Sequence, residues 1–257
     1  MIELDTIVHS SFLADVTTWL HGLAGDLDVR RVLDVGAGTG AGTIALAQQF
    51  SAADVVAVDV SPAMLARVRD RAAAHGLAGR ISTEGADITA HVSHLGAFDL
   101  AWASASLHEA RDPDQAFRNL HSLLRPGALL AVIEMDDPPR LLPGDLADFE
   151  DRLHGAFAHA RQGNAYSPDW TGPLERVGFE LEMRRTFTTD EVADGRGPAG
   201  EFATLFLSRL VSTSSANLSG PDRELLTMLL GEGPGSLRER RDLQIRGNRS
   251  VWIARRP

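Results

Sequence analysis

The run Val32-Leu33-Asp34-Val35-Gly36-Ala37-Gly38-Thr39-Gly40 holds the residues best placed for chemistry in this chain. An apolar stretch ends in three alternate glycines and passes at once into a helical pattern. Such glycines let the backbone bend sharply and let a ligand approach the main chain. The start of the following helix offers N–H groups to a polar ligand. Together these features suit an adenosine-type cofactor. Gly36, Gly38 and Ala41 also satisfy the looser fingerprint G-x-G-x-x-A, so the glycines alone fit a nicotinamide or flavin too. Asp34 leans the other way. A carboxylate two residues before the first glycine would repel a pyrophosphate and attract a cationic amino-acid tail.

A second acidic group follows in register. Asp59 ends the apolar stretch Val55–Asp59, 19 residues past Gly40. A carboxylate at a strand end can accept both hydroxyls of a ribose. Its other possible duty is to cap the next helix, a task Ser61 already serves ahead of Pro62. Gly40 completes the pattern D-x-G-x-G-x-G, and here the chain resembles the class I S-adenosylmethionine (SAM) methyltransferases, whose first motif has this form. The resemblance continues through Asp59, then Glu84-Gly85-Ala86-Asp87-Ile88, Phe98-Asp99-Leu100-Ala101-Trp102, Leu107-His108-Glu109, and Leu123-Leu124-Arg125-Pro126-Gly127-Ala128-Leu129-Leu130. This order is similar to the ubiquinone/menaquinone-type branch and covers roughly residues 30–135. It implies SAM as cofactor, with Asp34, Gly36 and Gly38 on its methionine end, Asp59 on the ribose, Asp87 on the adenine amino group and Ile88 against the ring. Ala37, Val60 and Met64 complete the expected cofactor set, and Ser104 is expected to line the methyl side.

SAM carries a sulfonium whose methyl group is electrophilic, and transfer needs an acceptor held in line and water kept out. A base is needed only where the acceptor arrives protonated. His108, after the fourth strand, is the candidate catalytic base, with Glu109 and Glu134 as groups that could orient it or contact the acceptor. A structural role is the competing reading for each. Tyr166, the only tyrosine, lies in a polar segment and is a candidate substrate contact. No metal is expected. His154 and His159 are five apart on a helical pattern and do not share a face. Asp136-Asp137 resembles the acidic pair of magnesium-dependent O-methyltransferases, yet Pro138 stands where an Asn usually follows.

Composition narrows the classes further. The 257 residues include no cysteine, which removes disulfides, thiolate metal sites and a cysteine nucleophile. Lysine is absent as well, all 25 basic residues being arginine, so Schiff-base and Walker-type lysines are excluded. The formal charge of −10 disfavours nucleic acid as a partner. There is no run of eighteen apolar residues and no basic n-region of a secretory signal, so no membrane partner and a cytoplasmic location are expected. A small, apolar or aromatic methyl acceptor is the expected partner. Two other functions stay open: a SAM-binding domain without turnover, since fold does not guarantee activity, and an NAD(P)-dependent oxidoreductase.

The elements that must position these residues are visible as alternating patterns between Arg30 and Glu134, the signature of a mostly parallel sheet covered by helices on both faces. Strands are predicted at Arg31–Val35, Val55–Asp59, Ile81–Glu84, Phe98–Trp102, Leu129–Glu134, Phe179–Thr188 and Arg249–Arg255. Helices are predicted over Ser10–Leu23, from Ser61 to Gly76, from Asp112 to Leu124, over Pro143–Arg161 and over Trp170–Val177. The expected architecture is an α/β, Rossmann-like seven-stranded sheet with an antiparallel last strand and a helical lid. It reads as one methyltransferase domain, 1–257, with an N-terminal helical segment (1–29), a SAM-binding core (30–135) and a substrate-side half (136–257). That half contains a lid insertion at about 189–247, with helical patterns near Gly200–Val211 and Pro221–Leu230, and its length marks it as functional.

Overall fold

The computed structural model describes residues 10–160, 169–214 and 218–257. Helix α1 (Ser10–Ala24) precedes β1 (Arg31–Val35), α2 (Ala41–Gln49), β2 (Asp54–Asp59), α3 (Pro62–Ala74), β3 (Ile81–Gly85), β4 (Phe98–Ser104), α4 (Pro113–Leu123) and β5 (Leu124–Met135). Then come α5 (Ala147–Ala160), α6 (Thr171–Val177), β6 (Glu180–Ala193), α7 (Pro198–Ser214), α8 (Gly220–Leu230) and β7 (Leu243–Arg255). The strands form one sheet in the order β3-β2-β1-β4-β5-β7-β6. β1 to β5 pair in parallel and β7 runs antiparallel to β5, as the sequence led us to expect.

By packing, the chain divides into two compact units. The first comprises Ser11–Met135, Ser167–Phe187 and Arg249–Pro257. Its strands are apolar on both sides because helices cover both faces. Val32, Val55, Leu100, Trp102 and Ile253 face one layer with Phe12, Val16 and Leu20 of α1, Ile44 of α2 and Val68 of α3. Their neighbours Leu33, Val58, Ala101, Leu130 and Trp252 face the other, with Phe117 and Leu120 of α4 and Leu174 of α6. The period of two along each strand produces this sorting. Local chemistry sets the helix starts. Ser61 accepts the Met64 amide and Asp112 the Gln115 amide, each just before a proline in the first turn,.

The second unit includes Asp136–Tyr166 and Thr188–Asn248. Its own core gathers Phe149 and Leu153 of α5, Phe202 and Leu207 of α7, and Leu226 and Leu229 of α8. Beneath them Glu150, fully buried, accepts the amides of Leu141 and Leu142 and an ion pair from Arg246 at 3.2 Å.

Several element boundaries differ from the sequence reading, three of them with consequences for the sheet. β5 begins at Leu124, so Arg125-Pro126-Gly127 sits inside the strand, where Gly127 donates to the Arg256 carbonyl at 2.7 Å. β6 runs on to Ala193 and β7 starts at Leu243. The β6 extension, residues 189–193, is mostly polar and exposed, whereas the β7 extension alternates buried Leu243 and Ile245 with half-buried Gln244 and Arg246,. The expected insertion is correspondingly shorter.

Candidate cofactor site

The carboxyl ends of β1, β2 and β4 assemble the glycine turn. Gly36 and Ala37 donate to the Val58 carbonyl at 2.8 and 3.0 Å, Gly38 donates to Asp59 Oδ2 at 2.9 Å, and Gly40 donates to the Ala37 carbonyl at 2.9 Å. These amides are therefore taken up by β2 and by the turn itself, and the turn's contribution is shape. Gly36 has φ +68°, and a Cβ built on it would lie 2.3 Å from the Ser106 Cβ. Gly40 caps α2 with φ +86° and lies against Val68 of α3. Both backbones are strained for any residue with a Cβ, and at Gly36 that atom would also clash,.

Asp34 points into the sheet's buried layer and is 2% exposed. Its Oδ2 accepts the Thr43 hydroxyl at 2.5 Å. Burial pushes its carboxyl up to about 7, the Thr43 bond pulls against this, and the Asp59 charge adds to the rise. Asp59 is half-buried. Its Oδ1 accepts the Ser61 amide at 2.8 Å, so one carboxylate anchors both the glycine turn and the approach to α3. Each oxygen keeps a second lone pair for a ligand hydroxyl. Val60 next to it stands 72% exposed, an apolar side chain held in the open, and Met64 is half-buried.

Asp87 lies two residues past Gly85, the β3 partner of Asp59. Its Oδ1 accepts the Thr89 amide and hydroxyl at 2.8 and 2.7 Å. These bonds, helped by Arg111, hold it below the usual carboxylate range. Ile88 is buried, and Asn119 of α4 clamps this turn by donating to the Ile88 and Ala90 carbonyls at 2.7 Å each. Sequence reasoning passed over Asn119, Thr43 and Ser106. Thr43, one helical turn after the glycines, could have been found as a partner for Asp34. Asn119 and Ser106 carry no local signal.

Ser104 closes β4 half-buried. His108 sits in a 3-10 turn over Leu107–Glu109, with Nδ1 2.8 Å from Oε2 of buried Glu134 and Nε2 3.5 Å from Oε1 of Glu109. Tyr166 lies outside the described residues. Of the other histidines considered, His154 belongs to the second unit, where burial lowers it to about 4, so the ring is neutral. Among the described residues no three histidine or carboxylate side chains converge on a metal site, and no helix is long and apolar enough to cross a membrane.

Residues 32–127 match the methyltransferase-domain family. Over this segment the chain is similar to a methyltransferase domain. The demethylmenaquinone methyltransferase of Thermus thermophilus is 35% identical over 111 residues, 43% of this chain and 50% of the relative. The malonyl-[acyl-carrier protein] O-methyltransferase of Brevibacillus brevis is 30% identical over 172 residues, 62% of this chain and 58% of the relative. The chain thus spans about half the length of these curated relatives. A solved Bacillus halodurans protein superposes with a TM-score of 0.59 at 18% identity, over 94% of this chain and 98% of that one, which establishes the fold. The methyltransferase domain's cofactor is S-adenosylmethionine. The residues present fit it: a side-chain-free cradle at Gly36 and Gly40, a buried Thr39 hydroxyl without a hydrogen-bond partner, and carboxylates at the ends of β1 and β2.

Proposed function

We propose that this protein is a SAM-dependent methyltransferase acting on a small-molecule acceptor, and that its cofactor half follows the ubiquinone/menaquinone-type branch. The observation that carries this reading is the turn whose amides at Gly36, Ala37, Gly38 and Gly40 are all consumed by protein acceptors, with Asp34 and Asp59 behind it. A pyrophosphate cradle needs those amides free. A cationic ligand needs only the shape and the negative charge. This arrangement supports SAM over a dinucleotide.

SAM supplies an electrophilic methyl group whose carbon–sulfur bond breaks with its electron pair going to sulfur. In this reading Asp34 attracts the ammonium end, Gly36, Ala37 and Gly38 shape its seat, and Asp59 accepts the ribose hydroxyls. Asp87, Ile88, Val60 and Met64 frame the adenine, and Ser104 borders the methyl side. We further propose that residues 136–257 contribute the acceptor side. Calorimetry with SAM and with NAD(H) tests the reading. Micromolar SAM binding and no NAD(H) binding are expected, and the reverse would overturn it.

A further inference from the structure

Glu134 near the end of β5 is a buried carboxylate with 2% of its side chain exposed. Oε2 meets His108 Nδ1 at 2.8 Å, while Oε1 is buried with no hydrogen-bond partner. A carboxylate half-satisfied in this way is unfavourable for folding, so its burial calls for a reason outside stability. The turn that carries His108 is also constrained. Ala105 has φ +50°, a strained value for a residue with a Cβ,. Its amide donates to the Ile133 carbonyl at 2.8 Å, and the Ser106 hydroxyl donates to the Val35 carbonyl at 2.9 Å. Leu107 is buried, and the Ala110 amide closes the turn on the Leu107 carbonyl at 3.1 Å. The strain is thus held by β1 and β5, in a turn whose Ser106 touches the glycine turn.

We propose that Glu134 is a positioning residue that fixes His108 as a proton acceptor at Nε2, and that the acceptor is a phenol or enol whose oxygen arrives protonated. This rests on the methyltransferase reading above. A carboxylate facing Nδ1 accepts its N–H, which leaves the lone pair of the neutral ring on Nε2. The proton of the acceptor hydroxyl passes to Nε2 as the oxygen lone pair forms the new bond to carbon. The imidazolium then rests between Glu134 and the exposed Glu109, and it loses the proton to solvent, to which the ring is partly exposed. A carboxylic acid is already ionised near pH 7 and would leave the pair idle. An ammonium acceptor would be repelled by the sulfonium. An acid titrating within a few units of imidazole gains most from such a base.

Two measurements on the full chain test this. In 15N-labelled protein, with His108→Gln to identify the ring signals, the neutral His108 ring should carry its proton on Nδ1. Glu134→Gln should lower the pH at which that ring titrates by about one unit or more, as loss of an adjacent opposite charge does. A proton on Nε2 in the parent protein overturns the proposal without reference to activity, and so does an unmoved titration. In the second measurement, SAM with a labelled methyl is offered with a panel of phenols, enols, carboxylic acids and amines. Label should appear on phenolic or enolic oxygen, and His108→Gln should slow transfer about 100-fold. Label on carboxylates or amines, or on nothing while SAM binds, overturns the acceptor class. Failure to bind SAM at all overturns the underlying reading, and the nitrogen spectra then still report on the pair.

Discussion

Ser106 stands against Gly36 so closely that no side chain fits between them: a Cβ added to Gly36 would come within 2.3 Å of the Ser106 Cβ. The serine also donates to the Val35 carbonyl, one residue before that glycine. The glycine turn is therefore closed by a residue from beyond β4 as well as by its own geometry. Gly36→Ala adds a backbone strain of about 1–2 kcal/mol for the left-handed φ and an overpacking cost of about 1–3 kcal/mol. Ser106→Gly should recover the overpacking part and leave the strain. A double-mutant cycle by urea denaturation should show a coupling of about 1 kcal/mol or more, and strict additivity would contradict the contact.

Asp34 makes stability depend on pH in an unusual direction for an aspartate. Its folded-state pKa is raised from 3.8 to about 7, chiefly by burial. The folded protein therefore holds this proton over a range where the unfolded chain has lost it, and stability falls as pH rises from about 4 to about 7. Asp34→Asn removes that dependence. Measured by denaturation at pH 5 and pH 8, the variant's stability relative to the parent should be greater at pH 8 than at pH 5, by roughly 2–4 kcal/mol. SAM binding should weaken in the same variant, the trade of stability against a functional charge.

Asp59 joins two tasks, since it anchors the Gly38 and Ser61 amides and is assigned to the ribose. Asp59→Ala should weaken SAM binding by about 1.5–3 kcal/mol in calorimetry, on the scale of charge-assisted hydrogen bonds. Binding equal to that of the parent would remove Asp59 from the site.

How much of this was legible beforehand follows from the range of each interaction. Gly36, Asp34 and Asp59 were readable because strand, turn and acidic strand end are local signals. Ser61 and Asp112 were readable as caps for the same reason. The clamp of Asn119 on the Asp87 turn spans 29 and 31 residues, and nothing near Asn119 announces it. The contact between His108 and Glu134 spans 26 residues. Each residue could be named as a candidate, but only the pairing of β4 with β5 shows which nitrogen meets which oxygen. The far end of β6 was missed because it carries mostly exposed polar side chains, and the start of β7 because its short apolar alternation at Leu243 and Ile245 is interrupted by Gly247-Asn248. Asn119→Ala tests the clamp directly. Losing two bonds to carbonyls should cost about 1–3 kcal/mol of stability and loosen the turn that carries Asp87, with a drop in SAM affinity as the second readout.

The second unit depends on one buried charge in the same way. Glu150 is fully buried, and Arg246 is its ionic partner, with the amides of Leu141 and Leu142 as the other donors. Burial drives the Glu150 carboxyl above its ordinary range, and the two amides, then Arg246 and Arg140, pull it back only in part. Arg246→Met removes the partner and leaves the charge inside. The expected loss is about 3 kcal/mol, the low end for breaking a buried pair, because Arg246 is itself 30% exposed. The sign with pH follows from linkage. With the arginine gone, the folded-state pKa of Glu150 rises further, so the variant's deficit should shrink as pH falls and the carboxyl takes up its proton. Arg246→Met combined with Glu150→Gln should recover much of the loss at neutral pH, since no charge then remains to be buried. Denaturation of the two variants at pH 5 and pH 8 decides the matter: a deficit that stays constant with pH, or a double variant no better than the single one, would mean that Arg246 acts by packing rather than by its charge.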